Sequence, residues 1–371
     1  MGRIPMGATD FSRGPYSYAE IVDDNKLEHF ALKEEDYKLK IPVLRKALEL
    51  NPQLNIIASP WTCPFWMKSN DNYAFMGVLK HKYYQTYADY YIKFLEKYSE
   101  AGVNVWGITT GNEPWNGFWP FPLPILGWFM ADVARWVRKN LGPTIRSSKQ
   151  FNATKIIIHD DQKIFLPRLT KFFRDDQALS YVDGVGVHWY LNKITPKAFL
   201  NFAKTPKKDL FIIGTEATNG FLQFPSVELG SWSRAERYAD DIFDDLEYGA
   251  AGWIDWNIAL DMYGGPVYTH FHADSTIIIN SDADEFYKQP TYYIMGHFSK
   301  FLSRGSLRIS VETALHNKRI RVLAYKRPDN GIVLIIYNKS EDNVNLNIKD
   351  LLNGCATVKI RAKSISSLVY W

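Results

Sequence analysis

The chain reads as an α/β protein, a parallel β/α barrel over most of its length followed by a smaller antiparallel β domain. Three observations predict this. Apolar, β-branched runs alternate with amphipathic helical segments, which is the pattern of βαβ units and a parallel sheet. Polar or aromatic residues stand at the carboxyl end of nearly every such run, as barrels arrange them, whereas a doubly wound sheet is functional at its switch point. After Gly296 the pattern changes to short runs of period two separated by turns.

The elements follow in order. Arg3-Ile4-Pro5-Met6 is the end of a strand running into a loop of small and polar residues that holds Asp10. Pro42 suits the first turn of a helix carrying Val43, Leu44, Ala47 and Leu48, and Asn51-Pro52 stops it. Leu54–Ser59 is the next strand, with Pro60-Trp61-Thr62 beyond its tip. Lys82–Tyr98 sets Tyr84, Tyr87, Ala88, Tyr91, Leu95 and Tyr98 on one helical face, and Gly102 closes it. Val105–Pro114 is a buried strand that breaks off at Gly111-Asn112-Glu113-Pro114. Phe129–Asn140 predicts a helix, Lys155–Asp161 a strand with acids at its tip, and Leu166–Arg174 a helix. Val182–Tyr190 predicts a strand ending His188-Trp189-Tyr190, and Pro196–Ala203 a helix. Leu210–Thr215 is a strand that delivers Glu216. Ser233 and Glu236 form a capping box for a helix to Tyr248, and Gly252–Asn257 is the last strand of the series.

Seven strands result, whereas a closed barrel has eight. The deficit lies at the front, because the chain opens inside a strand. The polypeptide therefore reads as incomplete, with two exposed sheet edges, and is expected to aggregate when expressed alone. Beyond the barrel, Tyr292–Leu302 predicts a connecting helix. Arg319–Lys326, Gly331–Asn338, Val344–Ile348, Thr357–Arg361 and Ser364–Trp371 are the antiparallel strands, with Asp329-Asn330-Gly331 as a hairpin turn. The expected division is residues 1–290 for the barrel and 291–371 for the β domain.

Composition narrows the function. Aromatic residues make up 15% of the chain, with 12 Trp and 22 Tyr, which fits either a large aromatic core or a site where sugar faces stack on indoles. A net charge of +4 without a basic run argues against nucleic acid as a partner and leaves mild attraction to an anionic membrane surface. Cys63 and Cys355 cannot form a disulfide framework, and no ligand spacing points to a metal or cofactor. Met1–Asp10 lacks the apolar core of a signal peptide, and the apolar stretch Phe118–Ala134 is interrupted by prolines and is no membrane span. Two glycosylation sequons begin at Asn152 and Asn338.

Glu113 and Glu216 each stand at the tip of an apolar strand. Two carboxylates facing each other across a cleft are what glycoside hydrolysis needs. Asn-Glu-Pro alone is also an ordinary turn sequence; the second strand-borne glutamate and the tryptophans favour chemistry.

The chain resembles a family at Thr110-Gly111-Asn112-Glu113-Pro114, Val187-His188-Trp189-Tyr190, Gly214-Thr215-Glu216-Ala217, Leu229-Gly230-Ser231-Trp232, Trp253-Ile254-Asp255-Trp256-Asn257 and Gly296-His297-Phe298-Ser299-Lys300-Phe301. In these motifs, and from Arg3 to Trp371, it is similar to the acid β-glucosidases, or glucosylceramidases, of glycoside hydrolase family 30. The resemblance implies a (β/α)8 TIM barrel, here lacking its first strand, with a β-sandwich beside it. It implies release of glucose from glucosylceramide with retention, Glu113 as acid/base and Glu216 as nucleophile. Asp10 matches the acid that holds sugar hydroxyls, and Trp61, Asn112 and Trp256 match sugar-contacting positions. Arg3, His188 and Tyr190 match the polar shell of the nucleophile. A lysosomal setting, a membrane-borne substrate and a saposin-like activator come with the family.

The chain also departs from the family. Phe118–Leu126 differs in length and is rich in proline, His270 and Phe271 align with an arginine and an asparagine, and Cys63 replaces a serine. The family carries further residues in front, including a signal peptide and the first barrel strand.

Overall fold

A computed structural model describes residues 1–312 and 319–371. The chain divides into two compact units. The first comprises Met1–Leu222, Tyr248–Trp256 and Gly265–His272; the second comprises Gln223–Glu247, Asn257–Gly264 and Ala273–Trp371.

The first unit is built on one parallel sheet of seven strands in chain order: β1 (Gly2–Pro5), β2 (Ile56–Ser59), β3 (Gly107–Thr109), β4 (Lys155–Gln162), β5 (Gly184–His188), β6 (Phe211–Glu216) and β7 (Gly252–Trp253). Alternation of side chains explains how it packs. Ile56, Ile156, Ile158 and Ile212 face the helices and join the main core, while Ile57, Ile157 and Ile213 turn to the other face and meet Ile254. That second cluster draws on every other strand, as the layered filling of a barrel does.

The sheet is strongly curled. Arg3 on β1 donates to Glu216 at the end of β6 across 2.6 Å. These strands are five places apart in the sheet, which is roughly 24 Å if it were flat at about 4.8 Å per strand. The fold class expected from the sequence is thus the one observed.

Helix 84–100 shows why so many aromatics are needed. Tyr87, Tyr91, Phe94 and Tyr98 are fully buried along it. Tyr87 and Tyr91 pack on Trp136, and Tyr87 also stacks with Tyr90. The large aromatic core was one of the two readings of the composition. The helix closes at Gly102, at φ +78, where Val103 N–H reaches the Tyr98 carbonyl. Helix 41–50 carries Pro42 in its first turn, as expected.

Several boundaries differ. Helix 130–136 continues through a wide turn, 137–141, into helix 142–147, past the expected stop at Asn140; Pro143 is tolerated because it sits in a first turn. Residues 163–168 and 197–203 form tighter 3₁₀ turns. The helix expected to be capped by Ser233 begins at Trp232, so Ser233 lies inside its first turn. Only Gly252–Trp253 of the last predicted strand is laddered.

In the second unit β8 (Leu260–Asp261), β9 (Ile277–Asn280) and β10 (Glu285–Lys288) form a three-stranded sheet that the sequence reading did not contain. β11 (Leu307–Ile309), β12 (Ile320–Lys326), β13 (Ile332–Asn338) and β16 (Ser364–Tyr370) form a four-stranded sheet, and β14 (Val344–Asp350) pairs with β15 (Gly354–Ile360). Ala324, Leu334 and Ile336 of one sheet and Leu346 and Ile360 of the other share one core, which is the arrangement of a sandwich. Asn330, at φ +65, makes the turn from β12 to β13.

Two loops of the first unit are laced together beside the Asn-Glu-Pro segment. Gly77 N–H reaches the Gly117 carbonyl at 3.1 Å, and Gly127 N–H reaches the Gly77 carbonyl at 2.7 Å. A Cβ on Gly117 would lie 2.0 Å from the Gly127 nitrogen. Gly117→Ala is therefore expected to part the loops and cost about 1–3 kcal/mol in urea unfolding. Wild-type stability in that variant would show that the approach is loose.

Candidate active site

Two bulges aim the side chains of the site. In β4 the register against β5 shifts between His159 and Asp161, and His159 and Asp160 adopt φ of +76 and +49. Asp160 and Asp161 are thereby sent to different partners. In β6 Val187 faces Gly214 but His188 faces Glu216, so Thr215 is the extra residue and Glu216 is turned into the barrel mouth. Glu113 follows β3 at φ +42, and its N–H is tied to the Asp160 carbonyl at 2.9 Å.

The carboxylates converge. Oxygens of Glu113 and Glu216 and a ring nitrogen of His188 all lie within 4.8 Å of one another. Both oxygens of Glu216 are held, Oε2 by Arg3 Nη1 at 2.6 Å and Oε1 by the Tyr190 hydroxyl at 2.9 Å. Glu113 Oε1 accepts from Gln162 Nε2 at 2.6 Å and lies 2.8 Å from His188 Nδ1. Its Oε2 accepts from Asn116 Nδ2 at 2.5 Å.

Behind them Asp160 is fully buried and acts as the hub. It receives Arg3 Nη2 at 2.9 Å and the Ser59 hydroxyl at 2.7 Å, and faces His188 Nε2 at 3.1 Å. Arg3 Nη2 also donates to Asn112 Oδ1 at 2.5 Å. Trp61 and Trp256 stack at 4.7 Å, and the Arg3 guanidinium lies 4.6 Å over the Trp61 ring. From Tyr190 an aromatic row continues through Phe221, at 5.8 Å, to Phe271, at 5.7 Å.

The structure thus gathers Arg3, Trp61, Asn112, Glu113, His188, Tyr190, Glu216 and Trp256 at one end of the sheet. Asp10 lies within electrostatic reach of both glutamates. Asp160, Gln162 and Asn116 were missed as site residues. Asp160 and Gln162 carry the signal that singled out Glu113, since they too end an apolar strand. The sequon at Asn338 is corrected: this residue is fully buried, and its amide donates to the Asp342 and Arg361 carbonyls, leaving no room for a glycan. Asn152 is exposed.

The family model described as "Glycosyl hydrolase family 30 TIM-barrel domain" matches residues 1–302, and its "beta sandwich domain" matches residues 305–368. The chain belongs to glycoside hydrolase family 30. It is 38% identical over 357 residues to the lysosomal acid glucosylceramidase of Mus musculus, covering 94% of this chain and 69% of that one. Among solved structures, SrfJ of Salmonella typhimurium superposes with a TM-score of 0.90 at 23% identity, over 99% of this chain and 80% of that one. An endo-β1,6-glucanase superposes with a TM-score of 0.85 at 25% identity, over 98% and 80%.

Burial and charge set the electrostatics of this family 30 glycosidase. Burial alone would raise the pKa of Asp160, but Arg3 and His188 outweigh it and hold the carboxyl well below its usual range. Burial alone would lower His188, but Glu216, Asp160 and Glu113 push it up to about 10. The ring is therefore an imidazolium, and both of its nitrogens face carboxylates. The spacing of His188 from the two glutamates would also suit a metal ion. Burial and the charge on Glu216 raise Asp10 to about 7. Burial and Glu113 raise Asp161 to about 7.

These shifts give the sign of the pH dependence. A depressed Asp160 stabilises the fold above its unfolded value of about 3.9, and that contribution is lost as pH falls through its folded value. A raised His188 contributes fully below its unfolded value of about 6.5, and that contribution is lost as pH rises through about 10. His188→Gln is expected to flatten the fall in unfolding free energy between roughly pH 6.5 and 10, followed by urea denaturation. Asp160→Asn takes one of the two carboxylate partners from each of two buried cations and is expected to cost about 3–5 kcal/mol at pH 7.

Proposed function

We propose that this glycosidase hydrolyses the β-glucosyl bond of glucosylceramide with retention, by double displacement. The observation that supports this best is the separation of the two glutamates, whose nearest oxygens lie within 4.8 Å. Retaining pairs sit about 5–5.5 Å apart, and inverting pairs about 6.5–9.5 Å, to admit a water. Glu216, with both oxygens held by Arg3 and Tyr190, suits an ionised nucleophile aimed at the anomeric carbon. In the first step its lone pair forms the bond to carbon while the C–O bond to ceramide breaks. The departing oxygen takes the bonding pair and a proton from Glu113. In the second step Glu113 takes a proton from water, which displaces Glu216. Arg3 occupies Asn112 Oδ1, so a sugar hydroxyl would meet the N–H end of that amide. Trp61 and Trp256, stacked on each other, would line the place of the sugar ring, and Asp10 would offer its carboxyl to the hydroxyls.

A lipid aglycone is supported by the loops laced beside Glu113. Residues 72–79 and 117–131 contain no Asp, Glu, Lys or Arg, and they expose Phe75, Met76, Val78, Trp119, Phe121 and Phe129. Such a surface suits the acyl boundary of a membrane, where each inserted large apolar side chain contributes about 1.5–3 kcal/mol. A lysosomal setting is carried by the similarity to the mouse lysosomal enzyme; a saposin-like activator is an expectation from the family resemblance of the motifs. A different glycan specificity within the family is the second reading. It is favoured by Phe271, which lines the row from Tyr190 where the family has a polar residue.

Turnover of glucosylceramide with release of β-glucose, seen first by NMR before mutarotation, tests the reading. A 2-deoxy-2-fluoroglucoside is expected to leave its adduct on the peptide bearing Glu216. Glu216→Gln is expected to lose at least about 10³-fold in kcat. Release of α-glucose, or an adduct elsewhere, would sink the mechanism. The double substitution Phe75→Ser with Met76→Ser is expected to slow hydrolysis in vesicles roughly 10-fold or more while a soluble β-glucoside is still cleaved. Equal loss on both substrates would remove the membrane surface from the account.

A further inference from the structure

We propose that Asn116 is a positioning residue that holds the proton-carrying oxygen of Glu113 and sets the alkaline limit of the reaction. This rests on the acid/base reading of Glu113 given above.

The two oxygens of Glu113 are not equivalent. Oε1 is engaged by both Gln162 and His188, whereas Oε2 is touched by Asn116. A carboxyl oxygen with two donors has no lone pair to spare, so the proton passed to the glycosidic oxygen belongs on Oε2. The Asn116 amide therefore bonds the oxygen that does the transfer. Only its N–H can favour a carboxylate there, and a donor to the charged form stabilises that form.

Asn116 is held ready for this role. It opens the 3₁₀ turn 116–118, and its own N–H reaches the Glu113 carbonyl at 2.9 Å. The residue before it is anchored twice. Trp115 N–H donates to Asp161 Oδ2 at 3.0 Å, and the Trp115 ring lies 3.4 Å under the Arg168 guanidinium. A side chain folding back three residues is also common in turns that have no chemistry. What separates this one is its target, the oxygen left open by Gln162 and His188.

Asp161 from β4, His188 from β5, Glu216 from β6 and Asp10 from the loop after β1 are the titratable groups facing Glu113. Asn116→Ala alters none of these groups chemically, so its comparison with wild type reads the loss of the Asn116 bond.

The experiment compares wild type, Asn116→Ala and the isosteric Asn116→Asp. Each is assayed from pH 4 to 9 on an alkyl β-glucoside, whose leaving oxygen needs a proton, and on a 2,4-dinitrophenyl β-glucoside, which does not. Removing the donor should move the alkaline limb of kcat/KM upward by about one pH unit. Asp, which adds a like charge, should move it further. The alkyl substrate should lose about 10-fold at pH 5, with the dinitrophenyl substrate changed less than about 3-fold. An unmoved limb in the folded variants, or equal loss on both substrates, overturns the proposal. Glu113→Ala run alongside separates the two readings. If it too treats both leaving groups alike, and azide does not restore turnover, the acid/base assignment of Glu113 fails first.

Discussion

The guanidinium of Arg3 couples the fold to the site. It is buried on the first strand of the sheet, yet it touches Glu216 at the end of the sixth, Asp160 on the fourth and Asn112 beyond the third. A flat or loosely curled sheet could not supply those partners. In the folded state Arg3 gives Glu216 and Asp160 their counter-charge, and they in turn keep the guanidinium from being a stranded buried cation. Such networks contribute little net stability when complete, because desolvation offsets attraction, but they become costly when one member is lost. The curl of the sheet and the ionisation of the site are therefore held by the same contacts.

That coupling explains what could be read from the sequence. Parallel strands covered on both faces need continuous β-branched runs, and these end visibly where the polar tips begin. Glu113 and Glu216 were legible for that reason, as were seven strands in their order. The bulges at His159–Asp161 and Thr215 were not, because a register shift is decided by the neighbouring strand and not by the run itself. Asp160 consequently read only as an acid at a strand tip, although it is fully buried and bonded to Arg3, Ser59 and His188. The short strands β8 to β11 escaped notice for a related reason: two to four residues give too few alternations to set a period.

Asn338 and the aromatics make a second contrast. A sequon is a three-residue pattern, whereas the burial of Asn338 depends on Asp342 and Arg361 folding over its amide. Aromatic abundance, by contrast, pointed two ways, and the reading as a large core is met in the first unit. Tyr87, Tyr91 and Trp136 pack the helical layer, while Trp61 and Trp256 stack at the barrel mouth. Composition alone counts rings and is blind to which side of a strand carries them.

The charges of the buried site lead to one more step. Arg3 and His188 supply two positive charges, and Asp160, Glu216 and Glu113 supply three negative ones when all are ionised. The cluster is neutral when one of the three carboxyls holds a proton. Asp160 is held ionised by both cations, so the remaining proton is shared by Glu216 and Glu113; burial and the charge on Glu113 raise the pKa of Glu216, while His188, Arg3 and Tyr190 oppose that rise. Asp10 and Asp161, raised to about 7, take up their own protons in acid and so leave this count unchanged. The two glutamates differ in their donors: a guanidinium and a phenol hold Glu216, whereas two of the three contacts of Glu113 are neutral amides. On the reading proposed above, that difference in donors favours Glu216 as the nucleophile and Glu113 as the acid before any sugar arrives.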